Sequence, residues 1–426
     1  MKLKKNKIVI AGGGFAGVHT ALDLAKRNLP NTKITLVSDK PHFEYKGAMY
    51  RVVTGSSPME VCILLSEIFK DSGVEVVEDT IKEVKPEEKM ALGASGSEYK
   101  YDHLVLALGS ETAYFDIPGL AESSFGFKSI KEALALKTHL HRIFETANKD
   151  DKNDLNKAAH FIVVGGGATG TELAGELAVY TRVLAKNHGL DPRFVAIDLI
   201  ESNPRVLARL PEPVSIKVQK RLRDLGVNLF LNRKVVRKEV EEVFLKDLNL
   251  KTKTVIWTAG VTVNPFYRTV KGLSFDERGK VLVDTKLRAV GNKSIFVLGD
   301  AASTAHSGMA QTAIQDGRYA AKVVAAQISG GKVEKYKQKP PFYSIPVGPG
   351  WAATLVGPIT LYGRLGWWLR RVADIRYFLT ILPPKKAVLA FQDGKELCES
   401  CPVCTPNKYY QKTAPLQTGG KGNTNN

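Results

Sequence analysis

Cysteine is scarce in this chain: 426 residues hold only four, Cys62, Cys398, Cys401 and Cys404. That excludes a disulfide framework and makes a reducing compartment the expectation. The last three stand at Cys-x-x-Cys-x-x-Cys spacing without a fourth thiol, so we expect unpaired thiols in a flexible tail and assign no metal centre. Long apolar runs are missing too. The uncharged stretch from Pro340 to Gly363 is broken by proline and glycine, which excludes a spanning helix and favours short strands. The basic N-terminus, MKLKKNK, leads straight into a glycine motif without a cleavage-site pattern, so no signal peptide is expected. Acidic residues are the other shortage: 43 Asp and Glu face 61 Lys and Arg, a formal net charge of +18. From Gly331 onward 14 basic residues stand against 5 acidic ones. Such a segment fits an anionic surface, either membrane headgroups or nucleic acid.

What is present is organised by three stretches. The first, Lys7 to Gly17 (KIVIAGGGFAG), is a short strand followed by Gly12-x-Gly14-x-x-Gly17 and a helix. The first glycine permits a tight turn, the second lets a pyrophosphate approach the backbone, and the third lets the helix pack close. A second strand, Lys33 to Val37, ends at Ser38-Asp39, with Asp39 near the distance expected of a ribose-binding acid. Tyr101 to Gly109 (YDHLVLALG) reads as another buried strand.

The motif then recurs. His160 to Gly170 (HFIVVGGGATG) gives Gly165-x-Gly167-x-x-Gly170, and the strand from Phe194 to Ile200 ends at Glu201. A carboxylate there would bond a ribose 2′-hydroxyl and repel a 2′-phosphate, which favours NADH over NADPH, although Arg205 and Arg209 nearby could reverse that preference. The gap from Gly170 to Glu201 demands an extended helix or an insertion around Lys186 to Pro192. Val255 to Gly260 (VIWTAG) closes this second unit. Two nucleotide folds in one chain point to a flavin and a nicotinamide cofactor.

The third stretch is Ser294 to Ala321: a buried strand, Gly299-Asp300, and a helix with Ala310, Ala313, Gly317 and Ala320 on one side. A carboxylate at a strand end beside a closely approachable helix suits a polyhydroxylated cofactor.

Here the chain resembles the type II NADH:quinone oxidoreductases, the non-pumping NADH dehydrogenases of respiratory membranes, from about Lys7 to Leu379. The more specific matches are GATGTELAGEL from Gly167 to Leu177, VIWTAGV from Val255 to Val261, and AQTAIQ from Ala310 to Gln315. The resemblance implies FAD at Gly12, Gly14, Phe15, Ala16, Gly17, Asp39, Ala107, Gly109, Gly299, Asp300, Ala310 and Gln311. It implies NADH at Gly165, Gly167, Ala168, Thr169, Gly170, Glu201, Ala259 and Gly260. Gln311 and Gln315 would border the quinone, and Glu172 would lie near the nicotinamide–flavin junction; Glu172 and Gln315 are the catalytic candidates. Two departures stand out. Ser38 occupies a position often acidic in the family, so the ribose contact falls to Asp39 or to neither, and His306-Ser307-Gly308-Met309 lacks the expected proline. Disulfide reductases and sulfide:quinone oxidoreductases of this architecture need core cysteines, and only Cys62 lies in the body of the chain.

Leu361 to Leu382 places Leu365, Trp368, Leu369, Val372, Ile375 and Leu379 on one helical face, with Arg364, Arg370, Arg371 and Arg376 around the rest. That is the pattern of a helix lying in a membrane interface. The fold expected is α/β: two doubly wound Rossmann-like dinucleotide-binding domains, the second inserted in the first, plus a C-terminal membrane-docking segment. Residues 1–115 and 263–330 would form the FAD-binding domain and 116–262 the NADH-binding domain. Residues 331–390 would form the C-terminal interface and amphipathic anchor, and 391–426 the Cys-containing tail.

The expected function is FAD-dependent transfer of two electrons from NADH to a membrane quinone without proton pumping. The enzyme would sit peripherally on the cytoplasmic side of the cell membrane, bind no nucleic acid, and could form a homodimer. Two alternatives stay open: a soluble NAD(P)H-dependent flavin reductase acting on a redox protein or oxygen, and a flavin-carrying nucleic-acid or interaction protein without turnover.

Overall fold

The computed structural model describes residues 5–147 and 158–393, so the tail with Cys398, Cys401 and Cys404 lies outside the described residues. The strand β1 (Asn6–Ala11) leads through α1 (Phe15–Ala25) to β2 (Thr32–Ser38), then β3 (Val74–Glu78) and β4 (His103–Leu106). The chain next builds a second unit. It comprises β5 (Phe125–Gly126), α2 (Ile130–Thr146), β6 (His160–Val164), α3 (Ala168–Asn187), β7 (Ala196–Ile200), β8 (Val227–Phe230) and β9 (Thr254–Trp257). It then returns to the first unit with β10 (Ile295–Val297).

Both main sheets have the same winding. Their strand orders are β10-β4-β1-β2-β3 and β5-β9-β6-β7-β8, and every pairing is parallel. Parallel sheets are covered on both faces, which explains why Ile8 to Ala11 and Phe161 to Val164 are continuous apolar runs rather than alternating ones. The second sheet lies in sequence wholly between β4 and β10, so it is inserted in the first, as the expected fold class requires. Each winding direction reverses beside the central strand, between β1 and β4 and between β6 and β9. Open α/β sheets bind ligands at such reversals.

The two glycine loops are near-copies. Gly12 and Gly165 take φ of +113° and +111°, a conformation that side chains disfavour. A Cβ on Gly17 or Gly170 would collide with the carbonyl oxygen of Gly12 or Gly165 respectively. The extended helix expected after Gly170 is α3, which runs to Asn187 and is followed by a single 3-10 turn, Pro192–Phe194.

The helix α4 (Ala310–Ser329) lies along α1, with Gly317 set against the Ala16 carbonyl. Beyond it, β11 (Ser344–Pro346), β12 (Ala352–Val356) and β13 (Ile359–Leu361) form the antiparallel strands expected of the Pro340 to Gly363 stretch. They support α5 (Gly363–Ile381) and α6 (Pro384–Asp393).

In α5 the arginines depart from the expected pattern. Arg364 and Arg376 are exposed, but Arg370 and Arg371 point inward. Arg371 Nη1 donates to Glu60 Oε1 at 2.8 Å, and Arg370 Nε lies 3.2 Å from Asp374 Oδ1. Arg51 bridges both acids, at 2.6 Å to Glu60 and 2.9 Å to Asp374, and the Tyr45 hydroxyl donates to Asp374 at 2.7 Å. Glu60 and Asp374 are 1% and 0% exposed. Three guanidinium groups thus share two buried carboxylates, which tie the C-terminal helix to residues 45–60.

Asp374→Ala would leave Arg51 and Arg371 with Glu60 alone and would take from Arg370 the carboxylate it pairs with. Removing one partner from a buried ion cluster costs about 3–5 kcal/mol. The urea-unfolding midpoint of the variant should fall accordingly, and an unchanged midpoint would show that the cluster does not hold the C-terminal segment.

Candidate functional site

The helices after both glycine loops begin without protection. Gly14 and Gly167 cap α1 and α3 with no side-chain hydrogen bond, and neither first turn carries an acid. Their leading N–H groups are therefore open to a phosphate. Gly12 N–H donates to the Val37 carbonyl and Gly165 N–H to the Ile200 carbonyl, both at 2.8 Å, so the next residues, Ser38 and Glu201, occupy matching places. Each lies beneath its loop. A Cβ on Gly13 would stand 2.6 Å from Ser38 Oγ, and one on Gly166 would stand 2.9 Å from Glu201 Oε2.

Glu201 is held in place by its neighbours. Its carboxylate accepts from Gly166 N–H at 2.6 Å, from Asn203 N–H at 2.7 Å and from the Asn203 side-chain amide at 2.6 Å. Arg205 donates to the carbonyls of Leu207, Ala208 and Leu210, so its guanidinium is spent locally; Arg209 stays exposed. In the first unit the register gives the matching place to Ser38, which is buried, while Asp39 stands one residue farther on and is exposed. Asp39 lies one residue beyond the position that matches Glu201. A hydroxyl takes the place of the carboxylate there.

Around Asp300 the structure gathers residues that the sequence did not point to. Asp300 Oδ2 accepts from the Ser110 hydroxyl at 2.5 Å, and Lys128 Nζ donates to Ser110 Oγ at 2.9 Å. Burial pulls the Lys128 ammonium below the usual lysine range. Gly299 and Gly109 take positive φ of +71° and +72°, which lets the chain turn sharply beside Asp300 and Ala107. Gly299 N–H donates to the buried Asp316 carboxylate at 3.1 Å. Ala259 packs against Gly165, and the Gly260 carbonyl accepts from Ala113 N–H at 3.1 Å, which joins the two units. The residues present fit two dinucleotides: open helix starts, close backbone approach, and a polar group at each expected ribose position.

Gln311 and Gln315 do share a face of α4, but their amides are engaged. Gln311 exchanges hydrogen bonds with the backbone of Phe342 at 2.7 and 2.8 Å. Gln315 does the same with Lys339 at 2.8 and 3.3 Å. Both clamp an extended strap across the helix. Beneath it lies a cavity of about 1920 Å³ whose walls include Phe15, Tyr45, Gln311, Gln315, Arg370 and Tyr377. Phe15 belongs to the first glycine loop and Arg370 to α5, so this space links the nucleotide loop to the C-terminal helix. On the outer side of α5, Leu365, Trp368, Val372 and Leu379 are exposed, Trp368 by 57%.

Glu172, in α3, looks toward the ion cluster. Burial pushes its carboxyl up to about 8, against the opposing pull of Arg370 and with help from Asp374. Glu176, one turn on, is raised to about 7 mainly by burial. A plain helix-terminus acid would be held ionised, so Glu172 is placed to carry a proton at neutral pH.

Comparison with known proteins agrees with this geometry. The family model described as pyridine nucleotide-disulphide oxidoreductase matches residues 6–317. The type II NADH:quinone oxidoreductase Ndh of Mycobacterium tuberculosis is 27% identical over 405 residues, covering 88% of this chain and 85% of the relative. The type II NADH:quinone oxidoreductase of Staphylococcus haemolyticus is 26% identical and covers 93% and 100%. Among solved structures, NDH2 from Plasmodium falciparum in complex with NADH superposes with a TM-score of 0.83 at 19% identity, covering 92% of this chain and 98% of that one. The sulfide:quinone oxidoreductase of Aquifex aeolicus gives 0.73 at 18% identity, covering 93% and 98%. These two likenesses are of fold.

Glu172 generates a pH prediction. A carboxyl near 4.5 when unfolded and about 8 when folded binds its proton more tightly in the folded state. Its contribution to stability is therefore lost as pH rises between those values. Glu172→Gln should match the parent in urea midpoint near pH 5 and exceed it near pH 8.5. The reverse order at pH 8.5 would show the carboxylate to be held ionised by Arg370.

Proposed function

The chain belongs to the pyridine nucleotide-disulphide oxidoreductase family, and we propose that within it the protein is a type II NADH:quinone oxidoreductase, with FAD in the first unit and NADH in the second. It transfers two electrons to a membrane quinone, without proton pumping, from a peripheral position on the cytoplasmic face of the cell membrane. The observation that carries this reading is the cavity between the first glycine loop, the two glutamines and α5. It joins a nucleotide site to a helix whose exposed face is apolar. The full-length match to named type II NADH:quinone oxidoreductases supports the same assignment.

The chain's own residues divide the work. Glu201 orients the NADH ribose and disfavours an added phosphate by charge repulsion. The open starts of α1 and α3 bind the pyrophosphates through backbone N–H groups. When bound, the flavin supplies the two-electron chemistry that links NADH to quinone. Only Cys62 lies within residues 6–317, so no pair of thiols stands between donor and acceptor. Phe15, Tyr45 and Tyr377 give the cavity an aromatic wall for a flat ring: Tyr45 and Tyr377 stack at 5.1 Å, and Phe15 lies 5.5 Å from Tyr377. Reduction of the quinone takes up protons, and the Glu172 carboxyl, pushed up to about 8 by burial, and the polar groups around Gln315 are placed to supply them; Gln315 borders the quinone. No helix among the described residues is long and apolar enough to cross a membrane; attachment runs through the exposed face of α5 and the basic residues around it.

Anaerobic stopped-flow tests this assignment. NADH should bleach the yellow protein rapidly, and a soluble quinone should restore the colour. Gln315→Phe, which narrows the cavity beside the strap, should slow the second step at least tenfold and leave the first unchanged. Absence of bleaching by NADH would overturn the oxidoreductase reading, and equal loss of both steps would remove Gln315 from the quinone site.

A further inference from the structure

A second, smaller cavity of about 290 Å³ opens where α1 and α4 run side by side, against Thr380 near the end of α5. Its charged lining is Asp23 from α1, Lys26 and Arg27 just beyond its end, and Arg318 and Lys322 from α4; the four cations are exposed. The single acid is already matched, because Arg27 Nη2 donates to Asp23 at 2.9 Å. Lys26, Arg318 and Lys322 have no carboxylate partner among the described residues. Three unmatched cations around one small space repel one another unless an anion joins them.

The fourth wall is His19. Its side chain is 3% exposed, yet its Nε2 has no hydrogen-bond partner. A buried polar atom without a partner costs free energy, so such an atom on a residue that lines a basic cavity points to a ligand. Burial first, and then Arg318 and Lys26, push its pKa down to about 3, so the ring is neutral and offers one N–H. The Tyr377 ring, 5.7 Å away, backs it on the α5 side. An anion with several acceptor oxygens, small enough for this space, would meet both needs at once.

We propose that the α1–α4 cleft is a phosphate site, held by His19, Lys26, Arg318 and Lys322, and that it seats the phosphodiester of an anionic phospholipid headgroup. Thr380 follows Leu379, the last exposed apolar residue of α5, so a lipid held here lays its acyl chains along that face. The lipid as source rests on the peripheral-membrane reading above; the phosphate chemistry does not.

The test uses the flavin-loaded protein in phosphate-free buffer. With ¹⁵N-labelled histidine, inorganic phosphate and glycerophosphoglycerol should each shift the His19 ring resonances; no shift with either overturns the site. In flotation, the parent should prefer phosphatidylcholine vesicles containing 30% phosphatidylglycerol over pure phosphatidylcholine. The double variant R318Q/K322Q should lose that preference at least tenfold, while K217Q/R223Q, with the same loss of charge on an exposed distant helix, should keep it. Equal losses in both double variants would overturn the lipid as ligand, even if phosphate alone shifts His19. No vesicle binding by the parent would defeat the membrane reading, and the His19 titration would still decide the site. That titration needs no variant, so a folding failure of R318Q/K322Q leaves the proposal open to refutation.

Discussion

The placement of the C-terminal helix α5 depends on one buried cluster, in which Asp374 and Glu60 share Arg51, Arg370 and Arg371. Burying ions is expensive, and these are affordable only because each carboxylate meets two or more guanidinium groups and Asp374 also accepts from Tyr45. The cluster fixes the rotation of α5. Arg370 and Arg371 turn inward with Phe378 and Ile381, which leaves Leu365, Trp368, Val372 and Leu379 to face outward. An ordinary surface helix does the opposite, with apolar residues inside and charges outside. A helix rotated this way presents an apolar face outward, and the same rotation places Arg370 in the wall of the large cavity.

That arrangement also sets the proton chemistry. Glu172 and Glu176 lie one turn apart on α3, within reach of Arg370 and Arg51 respectively, yet burial outweighs those cations and both carboxyls are raised. The cluster's arginines still pull both carboxyls down, and burial outweighs that pull. A C-terminal helix thus affects protonation in the nucleotide unit without touching a nucleotide.

Much of this was legible in the sequence. Both glycine loops, Glu201, the inserted second unit and the α4 motif were readable, because each rests on local rules: fixed glycine spacing, apolar strands and an acid at a strand end. What was missed depended on distant partners. Ser38 was readable as the residue directly after the second strand, and sheet pairing puts it where the second unit has Glu201. The inward turn of Arg371 could not be read from a helical wheel, because its partner Glu60 lies 311 residues away. Ser110 and Lys128 meet Asp300 only in three dimensions. No motif marks either.

The glutamine pair shows where a correct motif left its physics open. Spacing alone places Gln311 and Gln315 on one face of α4. It says nothing of the strap whose backbone at Lys339 and Phe342 satisfies both amides. A strap without regular hydrogen-bonded structure must find partners for its backbone groups, and a glutamine amide supplies a donor and an acceptor together. A quinone that sought hydrogen bonds from these amides would have to displace those pairs. One that stacks on Phe15, Tyr45 and Tyr377 would not. For the proposed quinone site, contact through ring faces is therefore the arrangement that leaves the glutamine–strap hydrogen bonds intact.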